Sequence, residues 1–417
     1  MIEARRGNLP VPPDPLHRSA SRTGRLAAGP WLRLCAVGAT AAAAATVASG
    51  SLGIAHSALA ALALPPLVAL VIAAWRAHRR LLPWTLAALG SFLVAIGTWW
   101  AGTVHVAAAA VALAVIATAT VQLFRGEQVP AASWRDYVTL TKPRIMSLLL
   151  LTGVCGMFVG AGGVPPVVDI VVLLVGLALA CGGASALNHV LDADIDKLMG
   201  KRTRSRPVAT GRIAPERALE FGLALSALSF VLLASFANVL TAVLALVGNL
   251  FYVLVYTRWL KRTTPQNIVI GGAAGAVPPL VGWAAATGDL TLPALALFAI
   301  VFFWTPPHFW ALALLIKRDY QAAGIPMLPV VRGERETVRQ IIAYTLVLIA
   351  VTLVPVAFGM FGAVYLIAAS VLGAAFLWLA WRLRRELVPA RASALFHYSL
   401  AYLAVLFIVM AVDPLLA

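Results

Sequence analysis

Four uncharged apolar runs constrain this chain more than any other feature. Leu34 to Trp75, Leu81 to Phe124, Phe221 to Thr257 and Gln340 to Trp381 are each long enough for two membrane crossings of roughly 20 residues. In lipid every backbone amide must be satisfied within the protein, which leaves helices or closed barrels as spanning structures. Runs of this length favour helices. Composition agrees, with 61% of the 417 residues hydrophobic and 12% charged, and a mean hydropathy of +0.91. Glycine, proline and polar residues divide the apolar sequence into helices near 32 to 50, 56 to 75, 82 to 101, 105 to 124, 144 to 161, 170 to 189, 218 to 236, 239 to 256, 266 to 286, 291 to 314, 338 to 357, 362 to 381 and 395 to 413. The expectation is an all-α polytopic membrane protein of about thirteen spans.

The net charge of +16 is carried by short basic clusters. The Lys and Arg residues fall in the N-terminal tail, at helix ends beside it, or in alternate loops, while the intervening loops are acidic or neutral. This asymmetry predicts an inner (plasma) membrane protein with a cytoplasmic N-terminus and an outside C-terminus. It also argues against nucleic-acid binding, because clusters at membrane ends face anionic lipid headgroups. Residues 1–30, with Pro10, Pro12, Pro13, Pro15 and five arginines, read as a disordered basic tail without apolar periodicity. No cleavable signal peptide is apparent. Cys35, Cys155 and Cys181 lie in separate apolar helices without metal-like spacing.

Polarity reverses abruptly after Leu187. The chain continues Asn188-His189-Val190-Leu191-Asp192-Ala193-Asp194-Ile195-Asp196-Lys197, then Met199, Arg202, Thr203, Arg204, Arg206 and Pro207. If the helix runs on past the membrane edge, Asn188, Asp192 and Asp196 recur every four residues and share a face, whereas Asp194 points elsewhere. Two carboxylates and an amide oxygen on one face call for a cation. Hard oxygen donors suit magnesium, particularly magnesium already carrying a phosphate ester, and the downstream arginines suit the remaining diphosphate oxygens. The competing reading is a solvated loop whose acids pair with its own arginines.

Asn-x3-Asp-x3-Asp at the end of a membrane helix resembles the first aspartate motif of the UbiA superfamily of intramembrane prenyltransferases. Tyr137-Val138-Thr139-Leu140-Thr141-Lys142-Pro143-Arg144 is similar to the approach to that family's first helix. Asp192 to Asp196 with Met199 and Arg202-Thr203, and Tyr256 to Arg262 followed by Asn267 to Ala276, resemble its heme-modifying branch. Most discriminating are Trp304-Thr305-Pro306-Pro307-His308-Phe309-Trp310 and Asp319 to Val330. The resemblance covers about residues 131–415 and implies a nine-helix UbiA-type bundle, in a domain spanning residues 127–417. One departure concerns the second Asp-x3-Asp motif of many members, since Ala323 follows Asp319 at that spacing here.

The resemblance implies farnesyl transfer from farnesyl diphosphate to the 2-vinyl group of heme B, with addition of water giving heme O. It also implies Mg2+ held by Asn188, Asp192, Asp196 and Asp319. Lys142, Arg202, Arg206, Lys261 and Arg262 are the candidates for diphosphate contacts, with positive-inside orientation as the competing explanation. Tyr256 offers a π face to an allylic cation, or packs in the core. His308 lies inside an apolar helix where an ionisable group should face a cavity or protein interior. It would ligate heme iron, bind a propionate, or pair with backbone freed by Pro306 and Pro307. These prolines predict a break or kink, whereas Gly271, Gly272 and Gly275 read as helix-packing residues.

Residues 31–126 form an additional four-helix unit that weakly resembles half of heme A synthase, the enzyme acting next on heme O. His56 and His105 are the matching histidines, and heme A synthase is the protein partner such a unit suggests. The competing reading is a structural membrane extension. For the chain as a whole the alternatives are a quinone-precursor prenyltransferase sharing the metal site, or a cation or heme transporter, whose carboxylates should lie near mid-membrane.

Overall fold

The computed structural model describes residues 132–416, and every regular element among them is helical. Nine helices are long and apolar enough to span a membrane: α1 (Pro143–Ala161), α2 (Val167–Leu191), α3 (Pro215–Phe236), α4 (Val239–Thr263), α5 (Asn267–Thr287), α6 (Leu292–Leu315), α7 (Gly333–Ala357), α8 (Ala363–Arg385) and α9 (Pro389–Leu416). They correspond one to one with the nine spans expected between 144 and 413. The basic tail and the four-helix unit, with Cys35, His56 and His105, lie outside the described residues. Cys155 and Cys181 are both free thiols.

Successive helices are neighbours, and α9 returns to α1 to close the bundle. The most buried spans are α5, which meets α1, α4 and α6, and α6, which meets α5, α7 and α9. One apolar cluster joins α5 to α9 through Trp310, Phe376, Tyr402 and Phe407, and a second joins α1 to α5 through Met157, Leu177, Leu233 and Val281. Lipid provides little hydrophobic drive for helix association, so close packing and interhelical hydrogen bonds carry more of it. Ser229 Oγ donates to Gly176 O at 2.7 Å, and Tyr365 OH donates to Thr352 O at 2.8 Å. The Asp413 carboxylate on α9 accepts from the amides of Gly362 and Tyr365, capping α8 from a neighbouring helix.

Helices α1 and α5 cross with their backbones in close approach. A methyl group on Gly282 would strike Gly153 O, and one on Gly156 would lie 2.9 Å from Pro279 Cα. Elsewhere on α5, Gly271 accommodates the Tyr256 ring and Gly272 lies against Thr305, whereas Gly275 has no neighbour within 4 Å of an added Cβ. The packing role expected for these glycines therefore applies to the first two and not to Gly275.

One expectation is narrowed, since of the break or kink at the α6 prolines the break does not occur, and one needs correction. Helix α6 runs unbroken through Pro306 and Pro307. Packing on three sides holds it, with Trp304 Nε1 donating to Ser399 O at 2.8 Å and Thr305 Oγ1 donating to Val301 O. Helix α4 extends seven residues past its expected end at 256, and Phe251–Leu260 within it are π-helical. The apolar pattern ends at Arg258, but the backbone ladder continues and carries Lys261 and Arg262 on a rigid element.

At the Gly282 crossing, backbone rather than a flexible side chain stands in the way. Gly282→Ala should force α1 and α5 apart at a cost of about 1–3 kcal/mol, read as a lower melting temperature in detergent. Gly275→Ala, set in open space, should melt like the parent.

Candidate active site

The site gathers where α2 and α4 end and α1 begins. A short helix, Trp134–Thr141, is capped by Ser133 in a reciprocal arrangement with Asp136. It stops at Lys142, whose φ of 50° is the one positive value at a non-glycine among the described residues. Pro143 then starts α1 with its fixed φ. The left-handed turn turns Lys142 toward α2, where its Nζ donates to Asn188 Oδ1 at 2.8 Å. Strain of this kind, on the order of 1–3 kcal/mol, persists where surrounding contacts hold it.

Helix α2 does not continue unbroken through the acidic stretch. Asp192 is its C-cap, and a separate turn, Ala193–Leu198, follows. The i to i−4 bonds nevertheless persist across the junction, from Asp192 N to Asn188 O at 2.9 Å and from Asp196 N to Asp192 O at 2.8 Å. Asn188, Asp192 and Asp196 are therefore all turned inward and buried, while Asp194 is exposed.

The buried acids meet bases from other elements. Asn188 Nδ2 donates to Asp192 Oδ2 at 2.8 Å and to Thr257 Oγ1 at 3.1 Å. Lys261 Nζ, buried at the end of α4, donates to the same Asp192 oxygen at 2.5 Å. Arg206 Nη1 donates to both oxygens of Asp196 at 2.7 and 2.9 Å. Arg262 instead grips Asp194 through two bonds of 2.8 Å and donates to Leu191 O at 2.6 Å. The cation that the acidic face requires is thus supplied by lysine and arginine side chains. The side chain of Arg202 lies outside those described.

These contacts shape the ionisation of the loop. Burial, reinforced by Arg206 and Lys261, lowers the Lys142 ammonium to a pKa of about 7 against the pull of Asp192 and Asp196. Burial raises Asp196 while Arg206 opposes the rise, and the Arg262 hydrogen bonds hold Asp194 at about 2. The Tyr320 phenol is pushed up to about 12 by burial, with Arg206, Asp192 and Asp319 acting on it. Tyr320 therefore links the segment after α6 to the acidic cluster. Its neighbour Asp319 sits directly over Gly200, and a methyl group on that glycine would meet the carboxylate. Tyr256 stacks on Tyr252 with ring centroids 5.5 Å apart. His308 stands apart from the cluster, on α6 against α9.

Several buried polar atoms have no partner: Asp192 Oδ1, both ring nitrogens of His189, and both amide atoms of Asn267. Orphans this costly point to a ligand or water. Among the described residues no three His, Cys, Asp or Glu side chains converge to hold an ion by themselves. A free carboxylate oxygen inside a ring of cations still suits magnesium, which takes one or two carboxylates and draws its other ligands from phosphate and water. Gly200 has no motif logic that would single it out, and Thr257 and Tyr320 have only their places in family-like stretches. Asn267 has only its place in a family-like stretch, and His189 only its neighbours.

The UbiA prenyltransferase family model matches residues 149–408. The chain belongs to the UbiA prenyltransferase family. Among its UbiA relatives, it is 53% identical over 279 residues to a protoheme IX farnesyltransferase of Roseiflexus sp. (strain RS-1), an alignment covering 67% of this chain and 52% of the relative. The chain thus spans about half the length of that relative. With a protoheme IX farnesyltransferase of Symbiobacterium thermophilum it shares 55% identity over 281 residues, 67% of this chain and 94% of the relative. A solved structure of digeranylgeranylglyceryl phosphate synthase in membranes superposes with a TM-score of 0.57 at 18% identity, covering 68% of this chain and 99% of that one. At that identity the likeness concerns the UbiA fold.

Because the obstacle at Gly200 is the tip of a flexible side chain, Gly200→Ala should turn Asp319 aside without disturbing the bundle. Melting should stay within about 2 °C of the parent, a change of under about 0.5 kcal/mol.

Proposed function

We propose that the chain transfers a farnesyl group from farnesyl diphosphate to the 2-vinyl group of heme B, with addition of water, giving heme O and diphosphate. The observation that carries the choice of substrates is 55% identity across nearly the whole of a relative named protoheme IX farnesyltransferase. The buried acid–base cluster supports the chemistry. Carboxylates at one end of the bundle suit a diphosphate headgroup at the membrane edge better than a transport path through mid-membrane.

Cleavage of the allylic C–O bond sends its electron pair to diphosphate, and the vinyl π pair then forms the new C–C bond. Water adds to the cation left beside the porphyrin and loses a proton, which balances the reaction. The barrier falls where positive charge is already placed around the departing diphosphate. Lys142 and Lys261 would exchange Asn188 and Asp192 for phosphate oxygens, Arg206 would do the same from Asp196, and Arg202 lies in the same basic loop. Arg262, fixed on Asp194, would act as a more distant charge. Asn188, Asp192, Asp196 and Asp319 would hold magnesium, which when bound supplies further positive charge to the leaving group. Tyr256 would present its ring to the allylic cation, and the farnesyl tail would lie between apolar helices. The alternating basic loops support placing this end at the cytoplasmic face of the inner membrane, with the C-terminus outside.

The deciding experiment incubates the full chain with heme B, farnesyl diphosphate and magnesium and identifies the porphyrin by mass spectrometry. A hydroxyethylfarnesyl heme that disappears with a chelator is the expected product, whereas prenylation of an aromatic acid instead would reassign the acceptor. Asp192→Asn should lower turnover by about a hundredfold or more. Asp194→Asn should cost less than about threefold, as its partner is a solvent-exposed ion pair. Equal losses would remove the distinction between the buried and exposed acids.

A further inference from the structure

His308 is a buried histidine in the middle of α6. Its ring lies between Trp304, at 4.4 Å and 15°, and Phe396, at 4.8 Å and 22°, with Phe309 meeting it edge-on. Its Nδ1 is 2.7 Å from Ser399 Oγ on α9. The same hydroxyl lies 2.6 Å from the carbonyl oxygen of Phe396, one turn earlier in its own helix.

A serine hydroxyl has one proton, and a carbonyl oxygen can only accept. Two oxygens 2.6 Å apart need a hydrogen between them, so the Ser399 proton is committed to Phe396 O. Toward His308 the hydroxyl can therefore only accept, and Nδ1 must carry the hydrogen. In a neutral imidazole this leaves Nε2 with a bare lone pair. The arrangement is rigid, because Trp304 Nε1 also donates to the Ser399 carbonyl.

A bare Nε2 cannot donate to a propionate or to a backbone carbonyl, but it can bind a metal. We infer that Ser399 is a positioning residue that fixes the His308 tautomer, so that α6 offers the Nε2 lone pair to the iron of the heme substrate. The inference rests on heme being the acceptor, as proposed above. A hydrogen bond from the far nitrogen of a ligating histidine orients the ring and strengthens it as a donor, and losing such a partner typically weakens binding about ten- to a hundredfold.

The test titrates the purified full chain, without farnesyl diphosphate, with ferric heme b and follows optical and resonance Raman spectra. The parent should show an axial imidazole that His308→Ala removes. Ser399→Ala should weaken heme binding about tenfold and lower the iron–imidazole stretch of the ferrous form, and Ser399→Thr, which restores a hydroxyl, should recover both. An imidazole signature that survives His308→Ala would overturn the inference, as would Ser399→Ala spectra and affinity equal to those of the parent. A parent that forms farnesylated heme without imidazole ligation would overturn the inference alone. A parent that neither binds nor modifies heme would instead overturn the choice of acceptor.

Discussion

Asp192 is a carboxylate with no exposed surface, at the end of a bundle whose interior is otherwise largely hydrocarbon. A charge in such a place costs several kcal/mol unless it is paired and hydrogen-bonded, and the arrangement of this end of the protein follows from that need. Lys261 reaches Asp192 because α4 continues beyond the apolar pattern. Asn188 bridges Asp192 to Thr257 on α4 and to Lys142 before α1. The ends of three spans are thereby tied together by polar contacts, while the rest of the bundle relies mainly on apolar packing. Asp192 Oδ1 remains without a partner, so the network is incomplete at this carboxylate.

Much of the fold was legible because lipid makes helix length and hydrophobicity nearly synonymous. All nine spans between 144 and 413 could be read from uncharged runs and their interruptions. Their basic ends could not, since Lys261 and Arg262 belong to the α4 helix but break its apolar pattern. The spacing of Asn188, Asp192 and Asp196 foretold a shared face, but not the junction at Asp192, which keeps the hydrogen-bond register while changing the backbone. The left-handed turn at Lys142 was equally hidden, because nothing in a lysine-proline pair signals a positive φ. Thr257 and Ser399 matter through contacts across distant helices, and single-sequence patterns carry no information about such contacts.

The readings of the acidic loop as ligand site and as self-neutralised loop are not exclusive. Without a ligand, lysines and arginines occupy the acids, which limits the cost of burial. With a metal diphosphate present, each side of these pairs would acquire a new partner: the acids the metal, the bases the phosphate oxygens. Such an exchange preserves the number of compensated charges, so a site this strongly charged can be buried both empty and full. Asp194 and Arg262 differ because their pair is exposed and bidentate and lies outside the buried cluster.

Helix α6 and the short helix after it support two different chemical environments. Just beyond the end of α6 at Leu315, the short helix Lys317–Ala322 carries Asp319 and Tyr320 toward the charged cluster, while seven residues before that end, about 10 Å along the helix, α6 holds His308 among aromatic rings. A reaction joining a diphosphate ester to a large apolar porphyrin has matching requirements: dense fixed charge for the leaving group, and a dry aromatic region for the acceptor. The last two turns of α6, from His308 to Leu315, and the change of direction at Ile316 set the spacing between the two. The packing of α5, α7 and α9 around α6 holds that stretch in place.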